Sequence, residues 1–103
     1  MANAVQDVDP GQARELIDAG WRVLDVRTDP EWAEGHIGGS YHLPMDQVVE
    51  EIGGHTDHAL LVVCASGGRS YRVAQYLASQ GLEVANLDGG LHAWEAAGLP
   101  VEH

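Results

Sequence analysis

The sequence has one cysteine, Cys64, and it has no lysine and no phenylalanine among its 103 residues. One thiol cannot form an internal disulfide, and a structural zinc site needs about four ligands, usually including several cysteines. No run of about 18 apolar residues occurs, which excludes a membrane-spanning helix of the usual kind. The first residues show no basic segment followed by an apolar one, so we expect no signal peptide and a cytoplasmic location.

The charge balance is strongly acidic. Sixteen aspartates and glutamates face five arginines, which gives a formal net charge of -11 at pH 7. A field of this sign repels nucleic acid and anionic membranes, so we expect neither as a partner. The length suits a single domain over residues 1–103, and a hydrophobic fraction of 45 % is ordinary for a chain with a packed core.

Short apolar runs alternate with helical patterns along the whole chain. Asp9 followed by Pro10 and Gln12 predicts the start of a first helix, and Gly20 its end. Asp29 followed by Pro30 repeats this signature. Further helices are predicted around residues 48–52, 73–78 and 91–97, and strands at 21–26, 41–43, 59–63 and 84–87. This alternation predicts an α/β fold with a small, mostly parallel sheet and helices on both faces.

Cys64 follows residues 59–63, the most apolar of these strands and our candidate for the centre of the sheet. Ligands of open α/β sheets bind outside the carboxyl ends of the strands. Gly67 and Gly68 allow positive φ, so the backbone N–H groups after the cysteine could converge on one centre ahead of a helix. That setting, with Arg69 or Arg72 turned inward, would lower the pKa of the thiol and make it a nucleophile.

This loop outweighs the alternative that the cysteine is a small buried core residue. The candidate anion-binding residues are Ala65, Ser66, Gly67, Gly68, Arg69 and Ser70. The six histidines include no pair spaced i and i+4, so we expect no metal site, and nothing calls for a cofactor.

Four blocks of the sequence together resemble the rhodanese family over nearly the whole chain. They comprise Leu24-Asp25-Val26-Arg27 with Glu31-Trp32, then Gly35-His36-Ile37-Gly38-Gly39-Ser40 with Leu43-Pro44, then Cys64 to Ser70, and finally Leu87 to Trp94 with Gly98-Leu99-Pro100-Val101. The resemblance implies a rhodanese-like fold with about five parallel strands. It also implies a sulfurtransferase that carries sulfane sulfur from thiosulfate or a persulfide donor to cyanide or a thiol, as a persulfide on Cys64.

Within the family that the sequence resembles, the length of the cysteine loop distinguishes sulfurtransferases from enzymes with other activities. Four residues lie between Cys64 and Arg69, which is the loop length of sulfurtransferases. Phosphatase and arsenate-reductase relatives have one residue more, so those activities are less favoured. A different alternative is a sulfur-relay or regulatory module that needs a protein partner.

The family pattern also indicates roles for individual residues in the loop and outside it. It places Asp25 and Arg27 at the active-site end, where we expect them to brace loops. Arg69 either attracts an anionic donor or bonds the loop carbonyls, and His42 is a candidate for contact with the acceptor. Thiosulfate is a dianion that must approach an acidic protein, and Glu31 stands where some relatives have a basic residue. A neutral or protein-bound donor is therefore an alternative to thiosulfate.

Overall fold

The computed structural model describes residues 4–55 and 57–103 and shows a sheet of parallel strands in the order β1-β5-β4-β2-β3. The parallel α/β architecture predicted from the sequence is confirmed. Strand β4 lies in the middle of the sheet, as its unbroken apolar run predicts. The strands are β1 (Gln6–Val8), β2 (Arg22–Asp25), β3 (Tyr41–His42), β4 (Leu60–Val63) and β5 (Val84–Leu87).

Helices cover both faces of the sheet, because every connection between parallel strands must cross over a face. The α-helices are α1 (Pro10–Asp18), α2 (Asp29–Ala33), α3 (Val48–Glu51), α4 (Gly68–Ser79) and α5 (Gly90–Ala96). Two short 3₁₀ segments, Met45–Gln47 and Ile52–His55, flank α3.

Two apolar cores form where the helices meet the sheet. On one face, Val73 and Leu77 of α4 pack with Leu24 and Val62 of the sheet. On the other face, Trp94 of α5 packs in a cluster with apolar residues of α1 and of the alternate sheet positions. Strand β4 is buried along its whole length because it contributes to both cores.

The first strand, β1, has no counterpart in the sequence prediction. It has three residues, of which only Val8 is buried, and it lies at the edge of the sheet beside β5. A segment this short shows no alternation of apolar and polar residues. Its strand conformation depends on pairing with β5, which is distant in sequence.

Two predicted helix starts are shifted in the structure. The residue that precedes α2 is Thr28 rather than Asp29, because the carboxylate of Glu31 turns back to accept hydrogen bonds from the Thr28 backbone N–H and hydroxyl. Helix α4 begins at Gly68, several residues before the apolar stripe that predicted it. Arg69 and Ser70 therefore belong to the first turn of a helix rather than to a free loop.

Candidate active site

The carboxyl ends of the strands bring the candidate residues to one edge of the sheet. In the parallel register, Asp25 at the end of β2 pairs with Val63 at the end of β4. Cys64 follows directly and is fully buried. Asn86 of β5 pairs with Val62 on the other side of β4. The thiol thus lies between two neighbouring strand ends, where open α/β sheets bind their ligands.

Hydrogen-bond donors of the following loop surround the sulfur of Cys64. The backbone N–H of Gly67 donates to Sγ at 3.1 Å and that of Ser70 at 3.4 Å. The Ser70 hydroxyl lies 3.3 Å from the same sulfur and can donate to it. Several donors aimed at one sulfur form a site for negative charge, at the N-terminal end of the twelve-residue helix α4.

The pKa of the Cys64 thiol lies below its ordinary value. Burial alone raises this pKa, but hydrogen bonds from the Ser70 hydroxyl and from the backbone N–H groups of Ser70, Gly67 and Ser66 lower it by more. Hydrogen bonds made to the charged form favour that form. The loop therefore favours the nucleophilic thiolate over the neutral thiol.

One of the two loop glycines has the backbone conformation that we predicted for both. Gly67 has φ of 100°, and a side chain there would press against the backbone of Gly89 at 3.1 Å. Gly68 is the first residue of α4 and its φ is not positive. The turn that points the N–H groups at the sulfur therefore requires glycine at position 67 only.

The start of helix α5 holds the backbone of the cysteine loop. The N–H of Leu91 donates to the Cys64 carbonyl at 2.8 Å, and the N–H of His92 donates to the Ala65 carbonyl at 3.0 Å. Gly90 makes this approach possible, because a Cβ on it would lie about 2.5 Å from the carbonyl group of Ala65. Its φ of 60° also favours glycine.

Asn86 of β5 contacts the cysteine loop at two positions, Gly67 and Ser70. Its side-chain NH₂ donates to the Asp7 carboxylate at 3.0 Å and to the Gly67 carbonyl at 3.3 Å. Its oxygen lies 2.5 Å from the Ser70 hydroxyl, whose single proton is shared between this oxygen and the Sγ of Cys64. Asn86 is buried, so these partners satisfy both ends of its amide. The result is a fixed position for two of the groups that donate to Sγ.

Asp25 and Arg27 form a buried ion pair, which we call the inner pair. The Arg27 Nη2 donates to the Asp25 Oδ2 at 2.8 Å, and Nε lies 3.0 Å from Oδ1. The same Nη2 also donates to the Gly35 carbonyl at 2.7 Å. These contacts join the end of β2 to the segment after α2.

Arg69 and Glu31 form a second ion pair at the protein surface, which we call the rim pair. The two Arg69 Nη atoms donate to the two Glu31 carboxylate oxygens at 2.7 and 2.8 Å. The described contacts of the Arg69 guanidinium are with Glu31 and not with a loop carbonyl, and attraction of an anionic donor by Arg69 stays a prediction. Arg72 lines a separate apolar groove with Met45 and Tyr76.

His42 packs in an aromatic stack close to the inner pair. Its ring lies 4.7 Å from that of Trp32, and the His36 ring stacks on the same tryptophan at 3.5 Å. The His42 Nε2 lies 2.7 Å from the Arg27 carbonyl oxygen. These contacts give the ring a structural role that the sequence did not predict.

A cavity of about 220 Å³ opens beside the cysteine loop. Ala65 lies on its wall, and the wall also carries the side chains of Arg27 and Glu31 from the two ion pairs. The other lining residues are Glu34, Gly35, Leu91, His92 and Glu95. A space of this size can hold a small molecule.

Comparison with known proteins agrees with this geometry. The sequence model of the rhodanese-like domain family matches residues 9–97 of this chain. The chain belongs to the rhodanese family. It is 39 % identical over 98 residues to the thiosulfate sulfurtransferase GlpE of Pseudomonas paraeruginosa, a match that covers 93 % of this chain and 89 % of that protein. It is 33 % identical to the putative sulfurtransferase YtwF of Bacillus subtilis, over 93 % of this chain and 96 % of YtwF.

Solved rhodanese structures share the fold as well. A rhodanese-related protein from Thermoplasma volcanium superposes with a TM-score of 0.88 at 31 % identity, covering 94 % of this chain and 97 % of that one. A rhodanese-like domain protein from Staphylococcus aureus superposes with a TM-score of 0.82 at 29 % identity, over 96 % of this chain and all of that one. The rhodanese-like fold is thus confirmed, and the chain is an enzyme of the sulfurtransferase class.

Several contacts of this rhodanese site were missed by the sequence analysis. Glu31 was noted only for its charge, because its partner Arg69 lies 38 positions away. Asn86 and Asp7 were not identified at all. Gly90 carried a usable signal, since two adjacent glycines directly before a helix predict a close backbone approach.

The described residues offer neither a candidate metal site nor a candidate membrane span. Residues 4–55 and 57–103 contain no group of three or more histidines, cysteines, aspartates or glutamates placed to hold a metal ion. Within the same ranges, no helix combines the length and the apolar character needed to cross a membrane.

Proposed function

We propose that this rhodanese transfers sulfane sulfur from thiosulfate or a persulfide donor to cyanide or a thiol through a persulfide on Cys64. The observation that carries the proposal is the set of N–H and O–H donors around Sγ, which lowers the pKa of the thiol. Such donors stabilise a thiolate before reaction and the negative charge of a persulfide after it. Relatives named as thiosulfate sulfurtransferases support the choice of donor.

The reaction has two displacement steps. The Cys64 thiolate attacks the outer sulfur of thiosulfate, a bond between the two sulfurs forms, and sulfite leaves with the electron pair of the broken S–S bond. In the second step, cyanide attacks the outer sulfur of the persulfide and leaves as thiocyanate, which restores the Cys64 thiolate. A thiol acceptor would attack the same sulfur. No cofactor is needed, because every electron pair moves between named sulfur and carbon atoms.

The arrangement favours sulfur over phosphate as the transferred group. The phosphatase relatives have one residue more in the cysteine loop, which leaves room for a tetrahedral oxyanion, whereas four residues separate Cys64 from Arg69 here. A relay module remains the second candidate, because the acidic surface suits a basic protein partner. The two candidates differ in turnover: a relay module would load sulfur but transfer it slowly to small acceptors.

Intact-mass spectrometry tests the proposal directly. Incubation with thiosulfate is expected to add one sulfur, about 32 Da, to the wild type and nothing to Cys64→Ser, and cyanide should remove it. Alkylation of Cys64 by iodoacetamide provides the control that the thiol is reactive. A reactive thiol that gains no sulfur from thiosulfate or from an organic persulfide would overturn the proposal. Cys64-dependent hydrolysis of an aryl phosphate would favour the phosphatase alternative instead.

Stopped-flow measurement of the discharge step separates the enzyme from the relay module. The proposed enzyme releases thiocyanate repeatedly from thiosulfate and cyanide alone. A relay module would instead show one rapid loading event and then a persulfide that persists in the presence of cyanide.

A further inference from the structure

The guanidinium of the loop arginine, Arg69, forms a two-bond ion pair with a carboxylate. Both Glu31 carboxylate oxygens accept hydrogen bonds from the Arg69 guanidinium, at 2.7 and 2.8 Å. Glu31 is itself held in place, since its Oε1 also accepts hydrogen bonds from the Thr28 hydroxyl at 2.9 Å and the Thr28 N–H at 3.2 Å. The carboxylate therefore holds the guanidinium in one position and compensates its charge.

The second arginine at the cavity is compensated in the same way. Arg27 lines the cavity, but its guanidinium is bound to the Asp25 carboxylate and to the Gly35 carbonyl. Glu34 and Glu95 also line the cavity and, within residues 4–55 and 57–103, form no ion pair. Carboxylates thus outnumber guanidinium groups around the mouth of this cavity, which we call the entrance, and the formal charge of the side chains there is negative.

Glu31 keeps its charge over the whole working pH range. The hydrogen bond from Arg69 lowers the pKa of Glu31 from 4.5 to about 2. An ionised carboxylate at the entrance repels a dianion about twice as strongly as a monoanion, because Coulomb energy is proportional to charge. Thiosulfate is a dianion, whereas an organic persulfide or thiosulfonate has at most one negative charge.

Resting on the proposed function, we propose that Glu31 sets donor specificity by holding Arg69, so that the site prefers sulfur donors of charge -1 or 0 over thiosulfate. Glu31 is a positioning residue in this scheme, because it acts through Arg69 and through the field at the entrance. The chemistry at Cys64 is the same for both donor classes. The thiolate attacks the outer sulfur, the S–S bond of the donor breaks, and sulfite leaves from thiosulfate or a sulfinate from a thiosulfonate.

A comparison of two donors in one variant provides the test. Glu31→Gln removes the charge but keeps an oxygen that can accept the Thr28 hydrogen bonds. At low ionic strength, kcat/KM with cyanide is expected to rise roughly tenfold for thiosulfate and about threefold for methanethiosulfonate. Glu83→Gln is the matched control, because the exposed Glu83 precedes β5 at the opposite edge of the sheet. An equal change for the two donors, or no change for either, would overturn the proposal.

A double variant tests whether Glu31 acts through Arg69. In an Arg69→Gln background, the effect of Glu31→Gln on the ratio of the two kcat/KM values should shrink, because no guanidinium remains to be released. The same ratio change in both backgrounds would show that Glu31 acts on the donor alone and would contradict the positioning role.

Wild-type protein provides a measurement that does not depend on the folding of a variant. When ionic strength rises from about 0.01 M to about 0.2 M, screening should raise kcat/KM for thiosulfate relative to that for methanethiosulfonate. A relative fall would mean that the entrance attracts dianions, which contradicts the proposal. Failure of the proposed function is distinguishable, since neither donor would then place a cyanide-labile sulfur on Cys64.

Discussion

Two arginine–carboxylate pairs each contribute one side chain to the wall of the same cavity, Arg27 and Glu31, yet the surroundings of the two pairs differ. In the inner pair, the side chains of Arg27 and Asp25 are 7 % and 0 % exposed. In the rim pair, those of Arg69 and Glu31 are 39 % and 29 % exposed. Both pairs use two or more hydrogen bonds between a guanidinium and a carboxylate. Burial, not bonding geometry, is the main difference between them.

The difference separates the structural from the functional use of an ion pair. Removing one member of a buried pair leaves a charge in a low-dielectric environment, which costs several kcal/mol. Water solvates a charge at the rim, so the loss of its partner costs about 1 kcal/mol or less. A rim pair can therefore vary with little effect on folding, and its charge is available to control which substrates approach.

The largest expected effect is on stability at the inner pair. Arg27→Leu should lower the free energy of unfolding by about 3–5 kcal/mol, because the Asp25 carboxylate stays buried without its partner. Arg69→Leu, the matched change at the rim, should lower it by about 1 kcal/mol or less. Urea denaturation followed by tryptophan fluorescence measures both values. Equal losses in the two variants would contradict the distinction drawn from burial.

A double variant tests why Arg27→Leu lowers the free energy of unfolding. Asp25→Leu combined with Arg27→Leu should recover most of the stability lost by Arg27→Leu alone, because no uncompensated charge remains in the core. A double variant less stable than either single variant would show that the pair itself, rather than the orphaned charge, dominates the free energy.

The next effect concerns the thiol, which neither pair contacts with a hydrogen bond. Ser70→Ala removes a donor to Sγ and should raise the pKa of Cys64, with sulfur loading slowed on the order of tenfold at pH 7. The pH dependence of alkylation by iodoacetamide reports this pKa. Glu31→Gln is the control at the rim, and its alkylation profile should stay closer to wild type than that of Ser70→Ala. The reverse order would assign control of the thiol to the rim.

The smallest expected effect is the change with pH in the contribution of the rim pair to the free energy of unfolding. The pKa of Glu31 is about 2 in the folded protein, whereas it is 4.5 when the carboxyl has no partner, as in the unfolded chain. Between these pH values the unfolded state therefore binds more protons than the folded state. The stabilisation is therefore present above about pH 4.5 and is lost as pH falls toward 2. At neutral pH it amounts to about 1 kcal/mol or less, because the pair is partly exposed. The difference in unfolding free energy between wild type and Glu31→Gln, measured across this range, should decline with falling pH; a constant difference would contradict it.

Local patterns predicted most of the fold. The apolar run at residues 59–63 identified the central strand, and the Asp9-Pro10 signature identified the start of α1. Both signals depend on neighbouring residues only, through capping and burial on two faces. Strand β1 was missed because its pairing partner β5 lies almost eighty residues away and its own three residues show no strand pattern.

In the candidate active site, too, the sequence predicted the features that depend on neighbouring residues and missed the contacts between distant ones. Cys64 and its glycine-containing loop are contiguous, so the order of strand, loop and helix predicted a cysteine at a strand end with N–H groups after it. The contacts that hold this loop are distant in sequence. Asn86 reaches Ser70 from β5, and Leu91 donates to the Cys64 carbonyl from α5. No pattern within the loop indicates these partners.

The sequence by itself determined an acidic α/β chain with one thiol at the end of its most apolar strand and a loop of sulfurtransferase length. Only the tertiary structure decided the partner of each arginine near the cavity. Side-chain pairing across elements depends on how the parallel strands and their helices pack, and this geometry is not encoded in spacing along the chain. For that reason Arg69, a candidate anion ligand in the sequence, is bound to Glu31 in the folded protein.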